Sequence, residues 1–304
     1  MVKNSCKLLI ILFLASSVNL YAADVMSSFL PKVETITRVT DTIPAKEKAT
    51  NAKITNSKAK KVTFENFDQS YERAMRYYKN GSYLSAAGLF EELYPLSLGT
   101  PRADTILYLF AHSYYMNKDY SMAAFHFHDY VKRFPNTERT EDAFYYCVSA
   151  IYNTSPDYYL DQSSTQYAID EIKAFIQAYP DNKHIEECNE MLDALRLKLA
   201  RKDLEILILY YNTDHYEACQ IAAKNFFNEY SYSPLMSEAV YYLVLNNYEY
   251  ARKSVEGKKL ERYKACQEAC LKMELSYSDS KYYKETSKIA QDVAKQLEKY
   301  NKQN

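Results

Sequence analysis

The chain has 304 residues and a net charge of −1, enough for one large or two ordinary domains and without the basic surface that nucleic acid wants. Only four glycines are present, Gly81, Gly88, Gly99 and Gly257, so no Gly-rich phosphate loop, dinucleotide fingerprint or hairpin-rich sheet can be built. Trp is absent and Tyr is abundant at 32; its apolar ring and polar tip suit half-buried helix faces and binding grooves.

Residues 1–22 read as a secretory signal peptide. Lys3 and Lys7 form its charged start, and Leu8 to Ala15 an apolar core too short to span a bilayer. Leu20-Tyr21-Ala22 supplies the cleavage site. The nearby Cys6 precedes the apolar core, whereas a lipoprotein cysteine follows it, so the sequence predicts ordinary cleavage and no lipid anchor there. Residues 23–62 are rich in Thr and Lys and include Pro31 and Pro44; they read as a flexible tether.

From residue 63 to 304 the chain reads as one helical unit. The clearest stretch is 104–135. Leu107, Phe110, Ala111 and Tyr114 fall on one helix face, Asn117-Lys118-Asp119 breaks the helix, Ala123 and Phe127 mark a second face, and Pro135 ends it. This is the tetratricopeptide pattern, in which small residues let two antiparallel helices approach and a pair cannot bury its apolar face alone. Its neighbours are present. Ala74, Tyr77, Tyr83, Ala86 and Phe90 repeat Ala111, Tyr114, Tyr120, Ala123 and Phe127, with Gly81 at the turn. Downstream, Ala168, Phe175 and Pro180 repeat Ala123, Tyr130 and Pro135.

The predicted fold class is therefore all-α, a tetratricopeptide-repeat superhelix of about five helix pairs with a C-terminal capping helix. The pairs fall at 64–79 with 83–94, and at 102–117 with 120–133. The third opens at 138–153 and resumes at 165–179 after the insertion TSPDYYLDQSST. Residues 182–211 hold no Gly or Pro, and their spaced leucines predict one long helix joining the third and fourth units. A turn at Asp214-His215-Tyr216 leads to 216–230. The fifth unit covers 235–254 and 258–276, and 281–300 forms the polar cap that a solenoid end requires.

Four stretches carry a closer likeness: YERAMRYYKNGSYLSAAGLFEELYP from Tyr71, AFHFHDYVKRFPNTERTEDAFYY from Ala124, YYLDQSSTQYAIDEIKAFIQAYPDN from Tyr158, and ERYKACQEACLKMELSYSDSKYYKE from Glu261. Together with the leader, the tether, the insertion and the long helix, they resemble the outer membrane protein assembly factor BamD (YfiO) family over about residues 64–300. The resemblance implies a non-enzymatic periplasmic scaffold at the inner face of the outer membrane. It implies the BamA-type barrel insertase, other assembly-complex subunits and unfolded outer membrane protein segments as partners, with a peripheral attachment to the membrane. The chain departs from that family at one point, the missing Cys just after the leader. The alternative is a general periplasmic tetratricopeptide adaptor in envelope or division complexes, although residues 24–61 lack the heptads of a coiled coil.

No catalytic residue, cofactor site or metal site is expected. His126 and His128 lie two apart on a helix and face different ways, and no Gly-x-Ser-x-Gly elbow occurs. Cys266 and Cys270 share a helix face, where a disulfide fits badly, and Cys147, Cys188 and Cys219 sit among apolar or small residues. The candidate site is instead a peptide groove along the first helices of the first three units. Counting from the small residue of each helix, it is lined by Tyr71, Met75 and Tyr78, by Tyr108, His112 and Tyr115, and, in a looser third register, by Tyr146 and Asn153. The competing reading is that these tyrosines only pack neighbouring repeats together.

Overall fold

The computed structural model describes residues 61–303; the leader and most of the tether lie outside them. The residues from Thr63 onward form one compact unit. After a short turn of 3-10 helix at Phe64–Asn66, eleven α-helices follow one another among the described residues. They are α1 (Phe67–Lys79), α2 (Tyr83–Ser97), α3 (Ala103–Met116), α4 (Tyr120–Arg133), α5 (Thr140–Thr154), α6 (Ser163–Ala178), α7 (Ile185–Asn212), α8 (Tyr216–Glu229), α9 (Met236–Arg252), α10 (Glu256–Tyr277) and α11 (Tyr283–Gln303). Each packs chiefly against its neighbours in the chain, as stacked helix pairs must.

The second helices explain the core. Ala86, Ala123, Ala168, Cys219 and Cys266 occupy equivalent places and are all fully buried. Seven residues on, Leu93, Tyr130, Phe175, Phe226 and Met273 fill the space between pairs. The small column sets the approach of the helices and the large column fills the gap between them. Of the two cysteines four apart on α10, Cys266 thus takes the small-residue position and Cys270 the place held by Phe90 and Phe127, and the described cysteines are buried and unbridged. Burial pushes the Cys219 thiol up to about 12, so it stays a neutral apolar group.

The turn between paired helices also repeats. Gly81 has φ 77°, and its counterparts Lys118 and Asp214 have φ 63° and 59°. Two non-glycine residues thus adopt the left-handed conformation that Gly81 takes freely. In the second unit, the Asp119 carboxylate accepts from the Met122 N–H at 3.3 Å and starts α4.

Element boundaries differ from the sequence reading at a few places. α2 continues through Pro95 to Ser97, because a proline in the last turn forfeits one hydrogen bond and no more of the helix follows it. Gly257 lies in the first turn of α10 rather than before it, where its missing Cβ matters least. The long helix spans 28 residues. Its first half buries Cys188, Leu192 and Leu195, and its second half packs Ala200, Leu204 and Leu207 against Cys219, Ala223 and Phe226 of α8.

The insertion is tied down. Lys198 donates to the Ser155 hydroxyl at 2.8 Å, Lys202 to the Leu160 carbonyl at 2.6 Å, and Gln162 to the carbonyls of Asp157 and Leu160. The loop therefore holds one shape and leaves Tyr159 exposed at its tip.

Candidate functional site

Helices α1, α3 and α5 place one face side by side. Three ion pairs cross between neighbouring units at the N-terminal ends of these helices: Arg102 with Asp68, Arg139 with Asp104 at 3.0 Å, and Lys183 with Asp142 at 3.2 Å. The acidic partners lie in or beside the first turns, where the helix dipole favours them. Each of these three carboxylates is paired with a cation from the following unit.

Below the rim, the structure gathers most of the expected residues around His112. Tyr108 stacks on its ring at 5.9 Å, Tyr146 meets it edge-on at 4.9 Å, and Tyr78 and Tyr115 lie at 5.8 and 6.2 Å. The Tyr78 hydroxyl is 2.8 Å from His112 Nδ1. Burial pushes the Tyr78 phenol up to about 12, with Tyr83 and Tyr146 adding to it, and burial pulls the His112 imidazole down. Both groups are therefore neutral, and we assign the hydroxyl as donor to Nδ1 with the ring proton on Nε2. The Tyr115 hydroxyl repeats this bond one unit on, to the Ser149 hydroxyl at 2.8 Å.

Phe127 is the floor. It is fully buried on α4, with Tyr108 edge-on at 5.8 Å and Tyr146 stacked at 5.5 Å. Such ring contacts contribute about 0.5–1.5 kcal/mol each beyond area burial, so the cluster joins the first three units firmly.

Three expected residues stand apart from this hub. Tyr71 packs on Phe90 at 6.5 Å, under the Arg102 guanidinium at 5.7 Å. Met75 is half-buried on α1. Asn153 is exposed and turns its amide onto the Ser149 carbonyl of its own helix at 2.7 Å.

The bonds fix the register of the third unit. Tyr78 reaches 34 residues ahead to His112, and Tyr115 reaches 34 ahead to Ser149. Tyr145 and Tyr152 are thus the counterparts of Tyr108 and Tyr115, while Tyr146 enters the hub from the adjacent helix position. Tyr145, absent from the sequence-based set, lies flat on His184 at 3.6 Å and donates to Glu187. The signal was present as the doublet Tyr145-Tyr146, which spacing alone does not resolve.

Two further features complete the surface. A cleft of about 420 Å³ opens between α7 and α8, walled by Ile206, Tyr210 and Ile221 over Ala218 and Ala222. Among the described residues no group of three or more His, Cys, Asp and Glu side chains is arranged to hold a metal ion, and no helix is long and apolar enough to cross a membrane.

Stacked helix pairs with a tyrosine-lined face define an all-α helical-repeat superhelix. The family profile of YfiO, described as outer membrane lipoprotein, matches residues 65–216, half of the chain. The chain belongs to this family. It is also similar to the putative outer membrane protein assembly factor BamD of Aquifex aeolicus (strain VF5), 31% identical over 97 residues. That match covers 31% of this chain and 32% of the relative, so the chain spans about a third of the length of the curated protein it matches. The family is one of assembly factors rather than enzymes, and membership places the chain in the cell envelope.

Proposed function

We propose that the chain is a non-enzymatic periplasmic scaffold of the machinery that assembles β-barrels in the outer membrane. It binds a BamA-type insertase and segments of unfolded barrel proteins. The observation that carries this reading is the coincidence of the family match at 65–216 with the first three units and their tyrosine hub. In this reading the face of α1, α3 and α5 receives client segments. The fourth and fifth units face the insertase, supported by the cleft between α7 and α8 and by the exposed Leu209 and Ile221 beside it. Residues 1–22 direct export, and residues 23–62 act as the tether.

The first test is a pull-down of the tagged protein from gently solubilised envelopes, read by mass spectrometry. The insertase is expected. Recovery of division or cell-wall proteins without it would replace this reading by that of a general envelope adaptor. The client face is tested by the double variant Tyr108→Ala, Tyr115→Ala, which is expected to keep its helical fold and lose capture of barrel peptides.

A further inference from the structure

Tyr108 and Tyr146 differ from the tyrosines around them at one atom. The hydroxyls of Tyr78, Tyr115, Tyr130 and Tyr145 are taken up inside the protein, by His112, Ser149, Thr137 and Glu187. Those of Tyr108 and Tyr146 bond to no described residue, and neither is among the sealed, unsatisfied polar atoms. They reach solvent.

The rings beneath these hydroxyls cannot swing. Tyr108 is held by His112, Phe127 and Tyr130, and Tyr146 by His112, Tyr115 and Phe127. A donor on a locked ring loses little side-chain entropy when it binds. Beside them Asp68, Asp104 and Asp142 are each paired with a cation, Arg102, Arg139 and Lys183. Such a surface favours a neutral acceptor over a charged side chain. The main-chain carbonyl of an extended peptide is a neutral acceptor that every sequence offers.

We propose that Tyr108 and Tyr146 are the contact residues of the groove, their hydroxyls donating to main-chain carbonyls of an extended peptide laid across α3 and α5. Tyr78, His112 and Tyr115 are positioning residues that hold the two rings. The inference rests on the client-groove reading above and gives it a mechanism for binding that is indifferent to client sequence.

The test is fluorescence anisotropy with a labelled synthetic peptide of alternating polar and aromatic residues, uncharged in its side chains, made with a free or an amidated C-terminus. The double variant Tyr108→Phe, Tyr146→Phe is expected to bind about tenfold more weakly, from the loss of two neutral hydrogen bonds. Its Tm is expected to match wild type, since no bond within the protein is lost. Tyr78→Phe is expected to lower Tm instead. The amidated peptide is expected to bind as well as the free acid; a strict need for the free carboxylate would overturn the main-chain assignment. If the double Phe variant binds like wild type while Tyr108→Ala, Tyr115→Ala does not, the groove stands and the hydroxyl assignment falls. Wild-type protein that does not bind the peptide would overturn both.

Discussion

The ring of His126 lies 4.2 Å from Phe110 and is stacked on Tyr114 at 5.5 Å, with its Nε2 buried and without a hydrogen-bond partner. Burial pulls its pKa down against the opposing pull of Asp129, and burial pulls His112 down as well. The sign follows from linkage. The unfolded chain takes up these protons near pH 6.5, the folded chain only at lower pH, so the unfolded state holds more protons in between. Stability is expected to fall as pH drops below about 6.5 and to level off below the folded values. The first unit has Leu89 where the second has His126. His126→Leu is therefore expected to raise Tm, by roughly 1 kcal/mol of relieved burial, and to flatten the pH dependence. Thermal unfolding at pH 8 and pH 5 checks both; an unchanged slope would show that His126 is not one of the groups responsible. At this scale the sequence was informative wherever a helix carried one small residue to count from. Ala74 and Ala111 place Tyr78, Tyr108, His112 and Tyr115 on a common face. The third first helix has Val148-Ser149-Ala150 at that place, three small or branched residues in a row. Counting from Ser149 gives Tyr146 and Asn153, whereas the Tyr115–Ser149 bond makes Val148 the counterpart of Ala111 and sets Tyr145 and Tyr152 at the repeating positions.

Among the elements, the turns were the easiest to read and the insertion the hardest. Gly81 marks its turn by composition, and Lys118 by its distance from Gly81. The left-handed backbone is the physical reason that both positions end a helix. A Cβ on Gly81 would meet nothing within 4 Å, so Gly81→Ala tests the backbone alone and is expected to cost about 1 kcal/mol. Lys118→Gly is expected to gain a similar amount, about 1 kcal/mol, by removing the same penalty. Chemical denaturation of the two variants measures the pair; changes of like sign would refute the shared-turn argument. The rim ion pairs behave differently. Arg139 and Asp104 are both partly exposed, and Arg139→Ala is expected to change stability by less than about 1 kcal/mol, with any effect shrinking in high salt. The insertion reads as a loop in the sequence, but its fixed shape comes from Lys198 and Lys202, which lie more than 35 residues further along the chain. No local pattern reveals a bond of that range.

Across the whole molecule, stability is passed from neighbour to neighbour. The last helix buries Val293 and Leu297 against Val244, Cys266 and Met273, and Tyr248 of α9 donates to Asp292 at 2.8 Å. Removing residues 283–303 uncovers that cluster; the lost burial of Val293 and Leu297 alone is worth about 1.5–3 kcal/mol each. Hydrogen exchange is expected to accelerate in α9 and α10 first and to leave α1 to α5 protected, because the cap packs chiefly on α9 and α10. Uniform acceleration would mean that the array unfolds as one block. The cap was legible as a polar, Lys- and Glu-rich helix. Its tyrosine–carboxylate bonds to the preceding unit were not, since each joins residues about forty apart.

The continuous α7 has a consequence for how such a chain can be rearranged. At about 42 Å it serves two masters, with Glu187 bonded to Tyr145 near one end and Leu204 packed on α8 toward the other. A splice in the loop before it would strip the third unit of the half-helix that covers Tyr145. A splice after it would leave α8 without its partner. Shuffling of repeats, by recombination or in a designed chimera, must therefore carry α5 to α8 as a single cassette, twice the length of the motif from which the array is built.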